Sequence, residues 1–442
     1  MISLLAACSA VAGETSEHRV LMIAIDSVPY NVIVDLSSPT QGNQQLFSEL
    51  KGPTAVVNAF PADSYTAWTG LLEPFGVEIP PGYIGQYFDR DEMRVRGFST
   101  PKKERAPWRE FFDWRLKGTI QKFIVYGTPV SSGQREIEEA FEAFAESDAD
   151  FFSVYFMSTD ALAHLKGPAG QKEFLRTLDA ELDALRRSQT DRPFYTVMVS
   201  DHGVAGGEPL ENIFGDVRKA MRKAGFDRSN QITEESDAVI VAIGLLTNVV
   251  VYTDIGKEMH AAETLAAVEG IDLCVVREAH GWRVLSTDGE ARFASRRGSP
   301  LQWKYEPVRG DPLGYLPITK ALQAIEQSPD GWISDTGLFE ATWSHRFPDA
   351  LYRLAQSFDL VVNDASVHCS VAVGYMFGPR TTEYLAIPTV GKLEWTHGAL
   401  ERDTTLGFLM SDLPEWTEPE AVRYDRALEF LKPYVPNGTS VE

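Results

Sequence analysis

Cysteine is scarce in this chain, and what there is follows no motif. Cys8, Cys274 and Cys369 are the only three, and none lies in a CxxC or zinc-finger spacing. Three unrelated thiols are the expected reading, with a Cys274–Cys369 disulfide as the alternative. Positive charge is also short: 41 Lys and Arg against 63 Asp and Glu leave a net charge of −22. That deficit excludes recognition of duplex nucleic acid through a basic face. It also repels anionic substrates at long range, so any phosphate site must build its positive potential locally, as bound metal ions would. There is no run of 18 apolar residues, hence no ordinary transmembrane helix. A GxxxxGK[ST] loop is absent too, so motor-type nucleoside triphosphate chemistry has no support.

What is present suffices for a large core. Hydrophobic residues make up 44% of the 442 positions, enough for two or three domains or one large α/β domain with insertions. Residues 2–12 are apolar and small, and Leu5-Ala6-Ala7-Cys8 resembles a bacterial lipoprotein box. The basic start and longer apolar stretch of a complete export signal are missing. Residues 1–17 are therefore read as a signal or lipoprotein remnant or a disordered start, with Cys8 as the candidate lipid anchor. Export places the protein in the periplasm or elsewhere outside the cytoplasm; without export it is cytoplasmic.

His18–Asp26 is a short apolar run ending in a carboxylate, the pattern of a buried parallel strand. Further strands are expected at Thr54–Phe60, Lys122–Tyr126, Asp150–Met157, Phe194–Val199, Ala238–Ile243 and Asn248–Tyr252. Helices are expected at Tyr65–Leu72, Ile137–Phe144, Gln171–Arg187, Ile213–Ala224 and Glu258–Val268. In the third of these, Phe174, Leu175, Leu178, Leu182 and Leu185 recur at helical spacing. Strands alternating with helices predict an α/β fold: a doubly wound, mostly parallel central sheet with helices on both faces. Residues 74–120 read as a loop-rich excursion over a site. The catalytic domain is assigned to 18–269 and 341–436, and 270–340, where alternation fades, to a small accessory insertion.

Open α/β sheets bind ligands at the carboxyl ends of their strands, and the chemistry-bearing residues cluster there. Asp26 ends the first strand, Ser64 opens a helix after the second, and Asp160 and His164 follow the Asp150–Met157 strand. Asp201 and His202 end the Phe194–Val199 strand, and His397 lies near the C-terminus. Each alone has an ordinary reading: a strand-end Asp as a helix cap, Ser64 as an N-cap, Asp160 and His164 as a surface i, i+4 pair. Together they form a set suited to divalent metal ions.

In combination these motifs resemble the alkaline phosphatase superfamily, in particular its type I phosphodiesterase/nucleotide pyrophosphatase branch, over about residues 19–410. Val20–Asp26 is similar to the family's first strand and metal-binding Asp. Phe60-Pro-Ala-Asp-Ser64-Tyr-Thr-Ala-Trp-Thr-Gly70 resembles its nucleophile turn. Ser158-Thr-Asp160-Ala-Leu-Ala-His164, Ser200-Asp201-His202-Gly203 and Thr396-His397-Gly398 are similar to its metal-ligand motifs. The resemblance implies two divalent ions, zinc first with manganese or magnesium as alternatives. One would lie on Asp160, His164 and His397, the other on Asp26, Asp201 and His202. It further implies a small-molecule phosphate ester as substrate, hydrolysed through a covalent intermediate on Ser64. Amides at the start of the following helix are candidate donors to a phosphate oxygen.

The match departs in one place. The family usually carries an Asn after the nucleophile helix; the comparable stretch here offers Gln86, a donor of longer reach, with Tyr65 as a second substrate-binding candidate. Thr66 is a weaker alternative nucleophile. His280-Gly281 is a rival to His397 but sits in a strand-turn-strand pattern, and His345 and His368 carry no motif. A sulfatase is disfavoured because residues 64–68 read Ser-Tyr-Thr-Ala-Trp instead of C/S-x-P-x-R. A metal-dependent phosphomutase and a catalytically silent ligand-binding homologue are the remaining alternatives.

Overall fold

The computed structural model describes residues 19–38, 45–97, 100–118, 124–242, 244–298, 300–381 and 392–436. Cys8 and the proposed signal remnant through residue 17 lie outside them.

The organising strand is Arg19–Ile25, buried along its whole length. Val20, Met22 and Ala24 point into one hydrophobic cluster and Leu21, Ile23 and Ile25 into another. Period-2 alternation with both faces apolar is what an inner parallel strand requires. It pairs in parallel with Phe151–Phe156 on one side and Phe194–Ser200 on the other. The full seven-stranded order is Ala421–Arg423, Lys51–Val57, Leu406–Ser411, Phe194–Ser200, Arg19–Ile25, Phe151–Phe156, Trp114–Arg115. Every neighbouring pair is parallel except the two made by Leu406–Ser411. Helices Tyr30–Ser37, Pro129–Glu146 and Ser158–Ser188 supply the packing on one face. Helix Ser64–Leu71 and an aromatic group around Trp68, Trp108, Phe112 and Tyr155 cover the other. This is the doubly wound α/β sheet the alternation predicts.

Three local expectations are corrected. The edge of the sheet beside Phe151–Phe156 is Trp114–Arg115, not Lys122–Tyr126. Residues 124–127 are helical, and Lys122 lies outside the described residues. A two-residue strand is too short to show alternation. The helix expected from Gln171 begins at Ser158 and runs to Ser188, broken at Gly167 (φ 58°, ψ −157°) ahead of Pro168. Gly-Pro reads as a loop by local chemistry, which hid the turns that carry Asp160 and His164.

The third correction concerns the cysteines. Cys274 and Cys369 form a disulfide between paired antiparallel strands, closing a sequence separation of 95. The two strands belong to a second sheet of nine strands, mostly antiparallel, that the sequence did not announce. It joins Ile271–Glu278, Gly281–Ser286, Gly289–Arg296 and Gln302–Gly310 to Asp237–Val241, Asn248–Thr253 and Val367–Val371. Segments on both sides of residues 270–340 thus share one sheet with that stretch.

His368 lies inside this second sheet, fully buried, and neither ring nitrogen is hydrogen-bonded among the described residues. It packs against Tyr83, Phe60 and Phe358, and burial holds its pKa down to about 3. The unfolded chain takes up this proton below about pH 6.5, so its contribution to native stability falls as pH drops from there towards the native value. His368→Phe is expected to remove that slope. The stability difference between variant and parent should shift in the variant's favour by about 2 kcal/mol from pH 8 to pH 5. Urea unfolding at both pH values checks this, and parallel curves would contradict it.

Candidate metal centre and nucleophile turn

The sheet topology explains why distant residues meet. Asp26, Asp160 and Asp201 follow the carboxyl ends of three adjacent parallel strands. Leu406–Ser411 runs the opposite way, so its start reaches the same edge and brings with it the loop carrying His397. Ser64 is the first residue of the helix after Lys51–Val57.

The side chains converge into two groups, Asp160, His164 and His397, and Asp26, Asp201 and His202; within each group the candidate ligand atoms all lie within 4.8 Å of one another. In the first, Asp160 Oδ1 is 3.5 Å from His164 Nε2 and 3.4 Å from His397 Nε2. In the second, His202 Nε2 is 3.6 Å from Asp26 Oδ1 and 3.4 Å from Asp201 Oδ2. The His202 and His397 rings stack at 4.1 Å, so the groups adjoin. Ser64 Oγ donates to Asp26 Oδ1 at 3.2 Å.

Backbone carbonyls orient all three imidazoles. His164 Nδ1 faces Trp395 O at 3.0 Å, His202 Nδ1 faces Gly203 O at 3.0 Å, and His397 Nδ1 faces Ala62 O at 3.2 Å. An Nδ1–H donated to each carbonyl leaves Nε2 as the free lone pair, the tautomer a metal ligand needs. Tyr155 and Tyr126 donate hydroxyls to the remaining oxygens of Asp26 and Asp160. Ser27, with φ of 64°, turns its amide onto Asp201 Oδ1 at 3.0 Å.

Asp160 Oδ1, Asp201 Oδ2 and His202 Nε2 are buried and have no hydrogen-bond partner among the described residues. Buried polar atoms are rarely left so, and these face one another inside the two groups. The electrostatics point the same way. Burial, then repulsion from Asp201 and Asp160, pushes the Asp26 carboxyl well above its usual range. Burial does the same to Asp201. Burial and the neighbouring His397 push His202 well down. For Asp160, burial is outweighed by His164 and His397, which hold it below the usual range. Carboxylates crowded out of water call for a cation, and this donor set of carboxylate oxygen and imidazole suits zinc or a similar divalent ion.

Supporting residues that the sequence reading missed hold the frame. Glu136 is fully buried and accepts from the amides of Ser158 at 2.9 Å and Met157 at 3.3 Å, fixing the start of the Asp160 helix. Arg353, also buried, donates to the carbonyls of Asn58 at 2.6 Å, Ala59 at 3.2 Å and Leu400 at 3.0 Å. It thereby ties the segment ahead of Ser64 to the segment that follows His397. Neither carries a local motif, because its partners are backbone atoms distant in sequence. Gly167 has a similar role: a Cβ there would come within 2.4 Å of Trp395 Nε1, displacing the residue whose carbonyl orients His164.

The other candidates fall differently. Thr66 is fully buried with its hydroxyl committed to Pro61 O, so it does not compete with Ser64. The two helix amides after Ser64, those of Tyr65 and Thr66, are taken by the Asp63 cap at 3.0 and 3.3 Å, leaving them unavailable as phosphate donors. Gln86 is half-buried, and among the described residues no hydrogen bond joins its side chain to the Ser64 cluster. Tyr65 is half-buried beside Gly85. His280 is exposed in the turn between two strands of the second sheet, and His345 packs on Tyr315.

Strand order and donor set define the class first: an α/β protein whose strand ends gather two groups of side chains that could hold a metal ion. Within it, the chain belongs to the type I phosphodiesterase/nucleotide pyrophosphatase family of the alkaline phosphatase superfamily, whose model residues 41–301 match. That span includes Ser64, Asp160, His164, Asp201 and His202; Asp26 and His397 lie outside it. No curated protein matches the sequence. Among solved structures, human ectonucleotide pyrophosphatase/phosphodiesterase 5 is similar at 11% identity and TM-score 0.48, covering 94% of each chain. The murine counterpart, an inactive variant in complex with AMP, gives 11% and 0.48, with 95% of this chain and 97% of that one covered. Phosphonoacetate hydrolase from Sinorhizobium meliloti 1021, in complex with phosphonoformate, gives 10% and 0.49, with 95% and 96% covered.

Proposed function

We propose that this protein is a metal-dependent phosphoric ester hydrolase with Ser64 as nucleophile and Asp26, Asp160, His164, Asp201, His202 and His397 as ligands to two divalent ions. The observation that carries the reading is the pair of three-residue donor groups side by side, with the Ser64 hydroxyl hydrogen-bonded to a member of one. Bound divalent ions, zinc first, would supply the positive potential this acidic chain lacks and stabilise charge on the attacking and leaving oxygens. Asp26 holds the Ser64 hydroxyl at the mouth of the helix. In the first step the Oγ–phosphorus bond forms as the bond to the leaving oxygen breaks, and that oxygen takes up a proton. Water then attacks the phosphoserine and restores the hydroxyl. The Cys274–Cys369 disulfide favours an oxidising compartment outside the cytoplasm.

The test is a panel of aryl phosphate mono- and diesters with zinc, manganese and magnesium each supplied, alongside metal analysis. Hydrolysis by the loaded protein, lost on chelation, is expected. A folded protein that takes up no metal and turns over no ester would overturn the reading in favour of a silent ligand-binding homologue.

A further inference from the structure

The second sheet ends in a short edge strand, and a helix packs beside that end. Helix Phe214–Lys223 buries Val217 and Met221 and turns its basic residues outward. Gly225, at φ 91°, reverses the chain after it, and the Phe226 amide donates to the Met221 carbonyl at 3.0 Å, a glycine-dependent helix ending. The chain then enters the edge strand Asp227–Arg228, which pairs with Asp237–Val241. Between the helix and these strands lies a cleft of about 330 Å³, within the size range of small-molecule sites. None of its lining residues belongs to either donor group of the metal centre.

The floor of the cleft is apolar, formed by Met221, Phe226 and Ile240. The His260 ring stacks on Phe226 at 5.3 Å, and its Nε2 faces the Ala224 carbonyl at 3.0 Å, so the floor is braced from behind. The rim is cationic: Arg218, Lys219, Arg222 and Arg228 stand there against a single carboxylate, Asp227. Asp227 is engaged by the Ser236 hydroxyl at 3.1 Å, and none of the four cations has an ion pair among the described residues. Other surface arginines do find acids: Arg277 reaches Asp359 at 2.6 Å, Arg346 reaches Asp272 at 2.9 Å, and Arg192 reaches Asp148 at 2.9 Å. In a chain of net charge −22, four such cations around one apolar floor create a local positive potential facing solvent. Gly215 adds room, since a Cβ there would meet no heavy atom within 4 Å.

We propose that this cleft is a second ligand site and that it takes a small anionic amphiphile. A flat apolar body would lie on the floor of Met221, Phe226 and Ile240, with a phosphate, sulfonate or carboxylate group among the rim cations. Charge complementarity selects the anion, and the floor selects the body. A wholly polar anion would leave the floor in water, and a neutral apolar molecule would leave the cations unanswered. The site takes no part in the ester chemistry, so its test is independent of the hydrolase reading.

The probe is anilinonaphthalene sulfonate, titrated by fluorescence into the metal-loaded protein, with phenylnaphthylamine as the same body without the charge. The expected result is one saturable site that binds the sulfonate at least about 10-fold more tightly than the neutral dye. Arg218→Gln combined with Arg222→Gln should weaken the sulfonate about 10-fold and leave the neutral dye unchanged. Both side chains are exposed, and an unchanged melting temperature shows that the fold is intact. Arg297→Gln combined with Arg309→Gln makes an equal change in net charge at exposed positions outside the cleft, and should have no effect. Absence of saturable binding by the wild type overturns the proposal. So do equal affinities for the two dyes, or equal weakening of the sulfonate in the two double variants. Adhesion to phosphatidylglycerol vesicles without saturable dye binding would make this face a membrane contact, and also overturns it.

Discussion

Ser64→Ala is expected to lower kcat by at least about 10³-fold, about 4 kcal/mol of transition-state stabilisation, with bound metal unchanged. The first half follows from covalent chemistry: Thr66, the alternative hydroxyl of this helix, cannot substitute, since it is buried and bonded to Pro61 O. The second half follows from geometry. Ser64 belongs to neither donor group; among the described residues its hydroxyl meets the cluster through hydrogen bonds to Asp26. Metal analysis and steady-state kinetics on the same preparation separate the two. Acid quenching of the wild type during turnover, followed by mass spectrometry, should find the phosphoryl group on Ser64. Undiminished hydrolysis by the variant would remove Ser64 from its role.

Asp201→Asn should lose function while making the metal-free protein more stable. Asp201 is fully buried, and burial pushes its carboxyl well above the usual range. One oxygen accepts from the Ser27 amide, and the other has no hydrogen-bond partner among the described residues. An Asn keeps the accepting oxygen, removes the burial cost of a charge, and offers an amide donor to the neighbouring group. Changes to residues that merely orient a ligand weaken metal binding by about 10- to 100-fold, so loss of a ligand should weaken it by at least about 100-fold. Excess metal at about 100 times its dissociation constant adds about 2.7 kcal/mol to native stability. That increment should be present in the wild type and nearly absent in Asp201→Asn. Thermal unfolding with and without added zinc measures both effects. Equal metal-induced stabilisation of the two proteins would show that Asp201 is not a ligand.

These two experiments bear on different parts of the centre. The first concerns the nucleophile alone; the second concerns the pre-existing strain among buried carboxylates that a cation would relieve. That strain is the reason a stabilising substitution is expected to be an inactivating one.

Several features were determined by the sequence alone. Arg19–Ile25 is apolar at every inner position and can only be a buried strand, and the alternation of strands with helices after it dictates a doubly wound sheet. The carboxylates and imidazoles after those strands were readable because a strand's carboxyl end is a fixed place in such a sheet. Tertiary structure decided the rest. His397 reaches the centre because Leu406–Ser411 runs against its neighbours, a direction that no local pattern records. Cys274 meets Cys369 because their strands pair across 95 residues. Arg353 and Glu136 act on backbone atoms far away in the chain. Periodicity and capping are local and can be read along the chain, whereas strand direction, long-range pairing and an unmet hydrogen bond exist only after distant segments have packed.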